Sequence, residues 1–229
     1  MRLFITFEGI EGCGKTTQIK MAGEYLKSRN IPFTMTEEPG GSPLGMKIRK
    51  ILLNEGPFEI CAASEVFLFS ATRAQHVKDV ILPALKRGDV VLCDRFCDAT
   101  IAYQGFGRGF DIDIIQRINA VSTGRLKPNV TFLFDVPAPV GIKRAMGRIS
   151  QTRDVNKEDR FENEEIEFHQ KVRAGYLSLA DSESERFRII DGSKDISAVH
   201  RKVCSLISSL IQVVESQESR VKSRESRVE

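Results

Sequence analysis

The chain has 229 residues, 41% hydrophobic and 28% charged, and its 34 Lys and Arg against 31 Asp and Glu give a formal net charge of +3. A chain of this length buries a core without disulfide or metal staples, and so even a charge balance argues against nucleic acid or an anionic membrane as the main partner. No apolar run approaches a membrane span or a signal peptide, and five cysteines without a CxxC pair point to free thiols in the cytoplasm.

In chain order, the apolar and β-branched run at 3–7 predicts a first strand, followed at once by glycines. From Thr16 the pattern turns helical, with Ile19, Ala22 and Leu26 at spacings of three and four. Residues 33–36 form a second strand candidate, and Glu38-Pro39-Gly40-Gly41 punctuates a loop before a helix that Ser42 can cap. A long helical stretch at 62–86 is expected to be irregular near Pro83. The runs at 89–93 and 130–134 read as buried parallel strands, and 187–190 as a fifth. Ile196, Val199, Val203, Ile207 and Leu210 make a last helical stripe. Strands alternating with helices predict an α/β three-layer sandwich around a five-stranded parallel sheet, as one domain over 1–211. The Ser-, Glu-, Arg- and Lys-rich 212–229, in which ESRV recurs, is expected to be a disordered tail.

Gly9-Ile10-Glu11-Gly12-Cys13-Gly14-Lys15-Thr16 fits the phosphate-binding pattern G-x-x-x-x-G-K-[ST], directly after a strand and opening a helix. Glycines let successive backbone N–H groups turn inward around a polyphosphate, and the helix N-terminus adds partial positive charge. Lys15 is placed to bridge the β- and γ-phosphates, and the Thr16 hydroxyl to ligate Mg²⁺. The segment therefore predicts binding of a nucleoside triphosphate. The DxxG and NKxD motifs of GTPase switches are absent, as is LSGGQ, while arginines recur along the chain.

EPGG at 38–41, FSATR at 69–73, DRF at 94–96, AYQGFGRG at 102–109 and DRFE at 159–162 follow in that order. Together with GIEGCGKT, this series resembles the bacterial thymidylate kinases over about residues 1–211. The resemblance implies phosphorylation of dTMP to dTDP with Mg-ATP, as a step toward dTTP for DNA replication. It also implies a homodimer and a short arginine-rich lid at about 144–160. Rival readings are another nucleoside monophosphate kinase on the same scaffold and a non-catalytic nucleotide-dependent switch.

By the same resemblance, Arg95 holds the dTMP phosphate and Asp94 orients Mg²⁺-bound water. Phe69 stacks on thymine, and Arg73, one helical turn on, meets its carbonyl edge or the acceptor phosphate. Thr100 and Gln104 lie near the thymine edge, and Tyr103 fills the space of a ribose 2′-OH. Glu11 accepts from the sugar 3′-OH; Glu38 and Arg49 join the dTMP side. Of the lid arginines, Arg148 and Arg153 are expected to be catalytic and Arg144 to serve ATP. Gly12 stands where some relatives carry an arginine, so the charge must come from the lid. Glu37 stands at a common arginine position, and Phe96 offers no hydroxyl after the Asp-Arg pair.

Overall fold

The computed structural model of the chain describes residues 3–53, 59–151 and 160–225. Strand β1 (Leu3–Glu8) is buried throughout, as an apolar strand covered on both faces must be. Helix α1 (Lys15–Ser28) follows and turns Ile19, Ala22 and Leu26 into the core. Next come β2 (Phe33–Glu37) and α2 (Pro43–Leu53). Ser42 caps α2, its Oγ accepting from Gly45 N–H at 3.0 Å. Helix α3 (Ala62–His76) passes through a π turn at Val77–Ile81 into α4 (Leu82–Arg87). The irregularity expected near Pro83 takes this form: proline has no N–H for the carbonyl four residues back, and Leu82 N–H donates to Val77 O instead.

Strand β3 (Val90–Asp94) leads into the short α5 (Cys97–Thr100), a second π turn at Ile101–Gly107, and α6 (Ile112–Thr123). The chain continues through β4 (Val130–Asp135), α7 (Ala138–Gln151), α8 (Ile166–Ser182), β5 (Phe187–Asp191) and α9 (Ile196–Glu225).

The five strands form one parallel sheet in the order β2-β3-β1-β4-β5. Each predicted strand is present within a residue of its expected ends. The register levels Phe7, Asp94 and Glu37 across β1, β3 and β2, so the segments that follow these strands leave the sheet at one edge. Open parallel α/β sheets bind ligands at that carboxyl edge. The order of the motifs along the sequence is thereby converted into proximity.

The main core joins β1, β3, β4 and β5 to α1, α8 and α9; a smaller cluster of Phe4, Val77, Ile81, Val91 and Phe96 fills the space under α4. In α9, Val199, Val203 and Ile207 are buried as expected, while Ile196 is exposed and Ile211 replaces Leu210 as the innermost residue of its turn. No helix among the described residues is long and apolar enough to cross a membrane.

Two expectations change. Helix α9 continues to Glu225, through most of the segment read as a disordered tail. Residues 212–225 contain neither Gly nor Pro, and extending an existing helix needs no new nucleus. Residues 226–229 lie outside the described residues. The stretch read as a lid is helical in its first half, as the end of α7, and its residues 152–159 lie outside the described residues.

Candidate active site

A cleft of about 680 Å³ opens at the carboxyl edge of the sheet. Its floor is the loop from Gly9 to Gly14 between β1 and α1. Gly12 has φ +66°, and a Cβ there would lie 2.0 Å from Gly141 O in the first turn of α7. The backbone of α7 thus excludes any side chain at position 12, an arginine included. Lys15 folds over the loop, its Nζ donating to Gly9 O and Ile10 O at 2.8 Å each, with Cys13 Sγ at 3.4 Å. Ile10 and Cys13 are buried beneath it.

Thr16, at the start of α1, donates its hydroxyl to Asp94 Oδ2 at 3.0 Å, joining the floor to the end of β3. A hydroxyl and a carboxylate, both hard oxygen donors, fit the partial shell that Mg²⁺ takes from protein when phosphates supply the rest.

The opposite wall is a web of buried side chains. Arg95 has φ +67°, an uncommon conformation for any residue with a Cβ. Two bonds from β1 hold it: Arg95 N–H donates to Phe7 O at 3.0 Å, and Phe96 N–H to Glu8 Oε1 at 2.7 Å. The guanidinium then reaches across the cleft. Nη2 donates to Glu11 Oε1 at 2.9 Å, Nη1 to Gly9 O at 3.0 Å and to Tyr176 Oη at 3.1 Å, and Cζ sits 4.7 Å from the Tyr103 ring centroid. Tyr103 Oη donates to the same Glu11 oxygen at 2.5 Å. His169 Nδ1 lies 3.3 Å from the other.

Electrostatics divides Glu8, at the end of β1, from Glu11, in the loop that follows. Burial opposes ionisation of Glu11, but Arg95, His169, Lys15 and Tyr103 outweigh it and bring its pKa to about 2. Burial and the Asp98 charge raise Glu8 to about 7, against the opposing pull of Arg95, Tyr176 Oη and Phe96 N–H.

Arg73 is not the solvated side chain that an arginine on a helix usually is; it is 1% exposed. Nε donates to Glu38 Oε2 at 2.7 Å, Nη1 to Asn119 Oδ1 at 2.7 Å, and Nη2 to Thr100 Oγ1 at 2.9 Å and Phe96 O at 3.2 Å. Glu38 Oε1 meets His76 Nδ1 at 3.0 Å. Phe69, half-buried, borders the cleft with Phe161 6.4 Å away between ring centroids. Gln104 borders it too, its Nε2 donating to Glu65 Oε2 at 2.8 Å. Arg49 donates to Pro39 O at 2.8 Å and pairs with Glu37 at 3.2 Å, so the glutamate at the common arginine position holds a neighbouring arginine instead.

From α7, Arg144 donates to Gly192 O at 2.9 Å beside the phosphate-binding loop, and Arg148 lies 3.6 Å from Glu162. Both border the cleft. Arg153 lies outside the described residues. Burial and the neighbouring Glu11 charge raise the Glu162 pKa despite Arg148 and Arg95. Cys93 and Cys97, which bracket the Asp-Arg pair, have thiol pKa values pushed up by burial, Cys97 to about 12.

Every described residue expected at the site from the sequence borders this cleft or bonds directly to one that does. Sequence reasoning missed Tyr176 and His169, both on α8, as well as Glu65, Phe161 and the turn at 192–195. Phe161 carried a signal, since it lies inside the DRFE segment; the two α8 residues, far along the chain from the loop they support, carried none.

A family model described as "Thymidylate kinase" matches residues 7–203. A thymidylate kinase from Syntrophus aciditrophicus is 57% identical over 216 residues, 94% of this chain and 99% of its own. One from Citrifermentans bemidjiense is 53% identical over 196 residues, 86% and 87% of the two chains. The crystal structure of thymidylate kinase from Ehrlichia chaffeensis superimposes with a TM-score of 0.68 at 32% identity, covering 90% of this chain and 98% of that one.

Proposed function

The chain belongs to the thymidylate kinase family, and from that premise we propose that it transfers the γ-phosphoryl group of ATP to the 5′-phosphate of dTMP, giving dTDP and ADP. The observation that carries this reading is one cleft with two unlike walls. A phosphate-binding loop with Lys15 faces Arg95, Phe69, Arg73 and Gln104 across a single opening.

In the reaction the bond from the γ-phosphorus to the β-bridging oxygen breaks, and a bond to an oxygen of the acceptor phosphate forms. That acceptor is already ionised near neutrality, so positioning and charge neutralisation carry the catalysis rather than a strong base. Lys15 leaves the carbonyls of Gly9 and Ile10 to meet the donor phosphates, joined by the N–H groups of residues 9–16. Arg95 holds the acceptor phosphate, and ionised Glu11 fixes the guanidinium and accepts from the sugar 3′-OH. Tyr103 closes the space a 2′-OH needs. Phe69 stacks on the base; Thr100, Arg73 and Gln104 read its edge, with Glu38 and Arg49 completing that wall. Arg144 lies on the ATP side, and Arg148 with Arg153 supplies charge at the transferring group. Thr16 and Asp94 would hold Mg²⁺, which when bound neutralises and templates the phosphate oxygens.

We extend the proposal to a homodimer. Helices α3 and α6 pack side by side and leave Phe67 59% and Val121 84% exposed. The free state of all five cysteines supports a cytoplasmic setting.

The test is ADP formation with Mg-ATP and each of dTMP, dUMP, dCMP, dGMP and AMP. Turnover led by dTMP and abolished by Arg95→Ala supports the reading. Turnover with another monophosphate only keeps the scaffold and overturns the base-reading roles. ATP binding without transfer to any acceptor overturns the kinase assignment.

A further inference from the structure

Glu65 does not border the cleft, yet it is fully buried on α3 and joins three elements. Its Oε1 accepts from Arg160 Nη2 and lies 3.4 Å from Arg108 Nη2; its Oε2 accepts from Gln104 Nε2 at 2.8 Å. Arg160 also donates to Leu52 O at 3.0 Å, and Arg108 is paired with Glu164, so both guanidinium groups are themselves held in place. A carboxylate between two guanidinium groups accepts hydrogen bonds and donates none. The Gln104 amide must therefore turn its NH₂ inward, which leaves its carbonyl oxygen toward the cleft. Among the described residues that oxygen has no intramolecular partner, although Gln104 is only 1% exposed.

We propose that Glu65 is a positioning residue for base selection: by fixing the orientation of the Gln104 amide, it presents an acceptor to the pyrimidine edge and so favours a base with a ring N–H over one without. A 2,4-dioxopyrimidine carries a donor at N3, whereas a 4-aminopyrimidine carries a lone pair there and meets the Gln104 carbonyl with repulsion. Placing like against like is a repulsive element that separates two ligands of nearly the same shape. The inference rests on the reading of Gln104 as a base contact made under the proposed function.

Glu65→Gln tests it, because the change is isosteric and the geometry fixes its outcome. Arg160 and Arg108 keep the new amide oxygen on their side, so the new NH₂ faces Gln104. Two NH₂ groups cannot face each other, so Gln104 rotates and offers a donor to the cleft. Glu65→Gln is expected to raise the KM for dTMP with little change in kcat and to improve dCMP as a substrate, lowering the dTMP-to-dCMP ratio of kcat/KM about 100-fold. Gln104→Leu is expected to lower the same ratio, and Glu65→Gln added to it to lower it no further. A purely structural role for Glu65 would depress both substrates alike and add to Gln104→Leu. An unchanged ratio in folded Glu65→Gln, or additivity in the double variant, overturns the proposal.

Should Glu65→Gln not fold, the side-chain amide protons of Gln104 in ¹⁵N-labelled native protein decide. They are expected to exchange slowly with and without dTMP, and fast exchange in either state overturns the proposal. Native protein that turns over dCMP and not dTMP would instead refute the proposed function itself.

Discussion

The two walls of the cleft are built by opposite means. The wall proposed for the donor is backbone: six residues in tight turns, a helix N-terminus and one lysine bonded to loop carbonyls. The wall proposed for the acceptor is side chain: Arg73, Glu38, His76, Thr100 and Asn119 interlock, as do Arg95, Glu11, Tyr103 and Tyr176, most of them buried and drawn from five helical segments and three loops. Backbone donors serve any polyphosphate, whereas a particular nucleoside needs shaped and oriented side chains. The first wall owes little of the protein's stability to its functional groups, and the second owes a great deal.

The sharpest test of this contrast removes one cation from each wall. Lys15→Ala is expected to lower kcat about 10³-fold or more, because a charge aimed at the transferring phosphates is lost. Urea unfolding should barely move, since the ammonium bonds only within its own loop, to the carbonyls of Gly9 and Ile10 and to Cys13 Sγ. A large loss of stability in this variant would break the contrast. Arg73→Ala is expected to cost about 3–5 kcal/mol of stability, because it strands the buried Glu38 carboxylate. The same unfolding experiment reads it, and a cost below about 1 kcal/mol would show that the web is not structural.

Glu8 and Glu11 sharpen the comparison through pH. Folded Glu8 keeps its proton to about pH 7, while the unfolded chain releases it near the ordinary 4.5. The folded state then binds the extra proton, so this group makes stability fall as pH rises from 4.5 to 7. Glu11 acts in the opposite sense: its stabilisation is complete above 4.5 and is lost as pH falls through about 2. Urea midpoints across pH should flatten between 4.5 and 7 in Glu8→Gln and lose part of the acid limb in Glu11→Gln. Glu8→Gln with an unaltered profile would place the titration elsewhere.

The smallest effect belongs to the end of α7, the stretch proposed as a lid. Arg148 is 60% exposed and touches Glu162 at 3.6 Å, so Arg148→Ala should leave the unfolding midpoint unchanged and lower kcat about 10-fold. An equal fall in midpoint and rate would make it part of the wall and overturn the proposed lid role. Separately, Val121→Glu is expected to shift the molar mass in light scattering from dimer to monomer; an unshifted mass removes α6 from the interface.

The strands, the phosphate-binding loop and the opening of α1 were legible in the sequence because each is written in consecutive residues. An apolar run between helical patterns has few alternatives, and glycines at 9, 12 and 14 before Lys15 admit one loop. The motifs at 38–41, 94–96 and 102–109 were also visible, and the parallel register explains why they meet. By contrast, α8 contributes Tyr176 and His169 from more than 150 residues beyond Glu8 and Glu11. Nothing local marks them, because their spacing along α8 serves the core as well as the site.

Sequence alone therefore determined the order of strands and helices, the phosphate-binding loop and part of the lining of the cleft. Only the tertiary structure decided that Arg73 is sealed rather than solvated, that Glu8 and Glu11 titrate on opposite sides of their ordinary range, and that the buried Glu65 meets Gln104. The physical reason is common to all three. Burial and charge pairing act through distance in space, and residues far apart in the chain acquire those distances only when the sheet brings their segments to one edge.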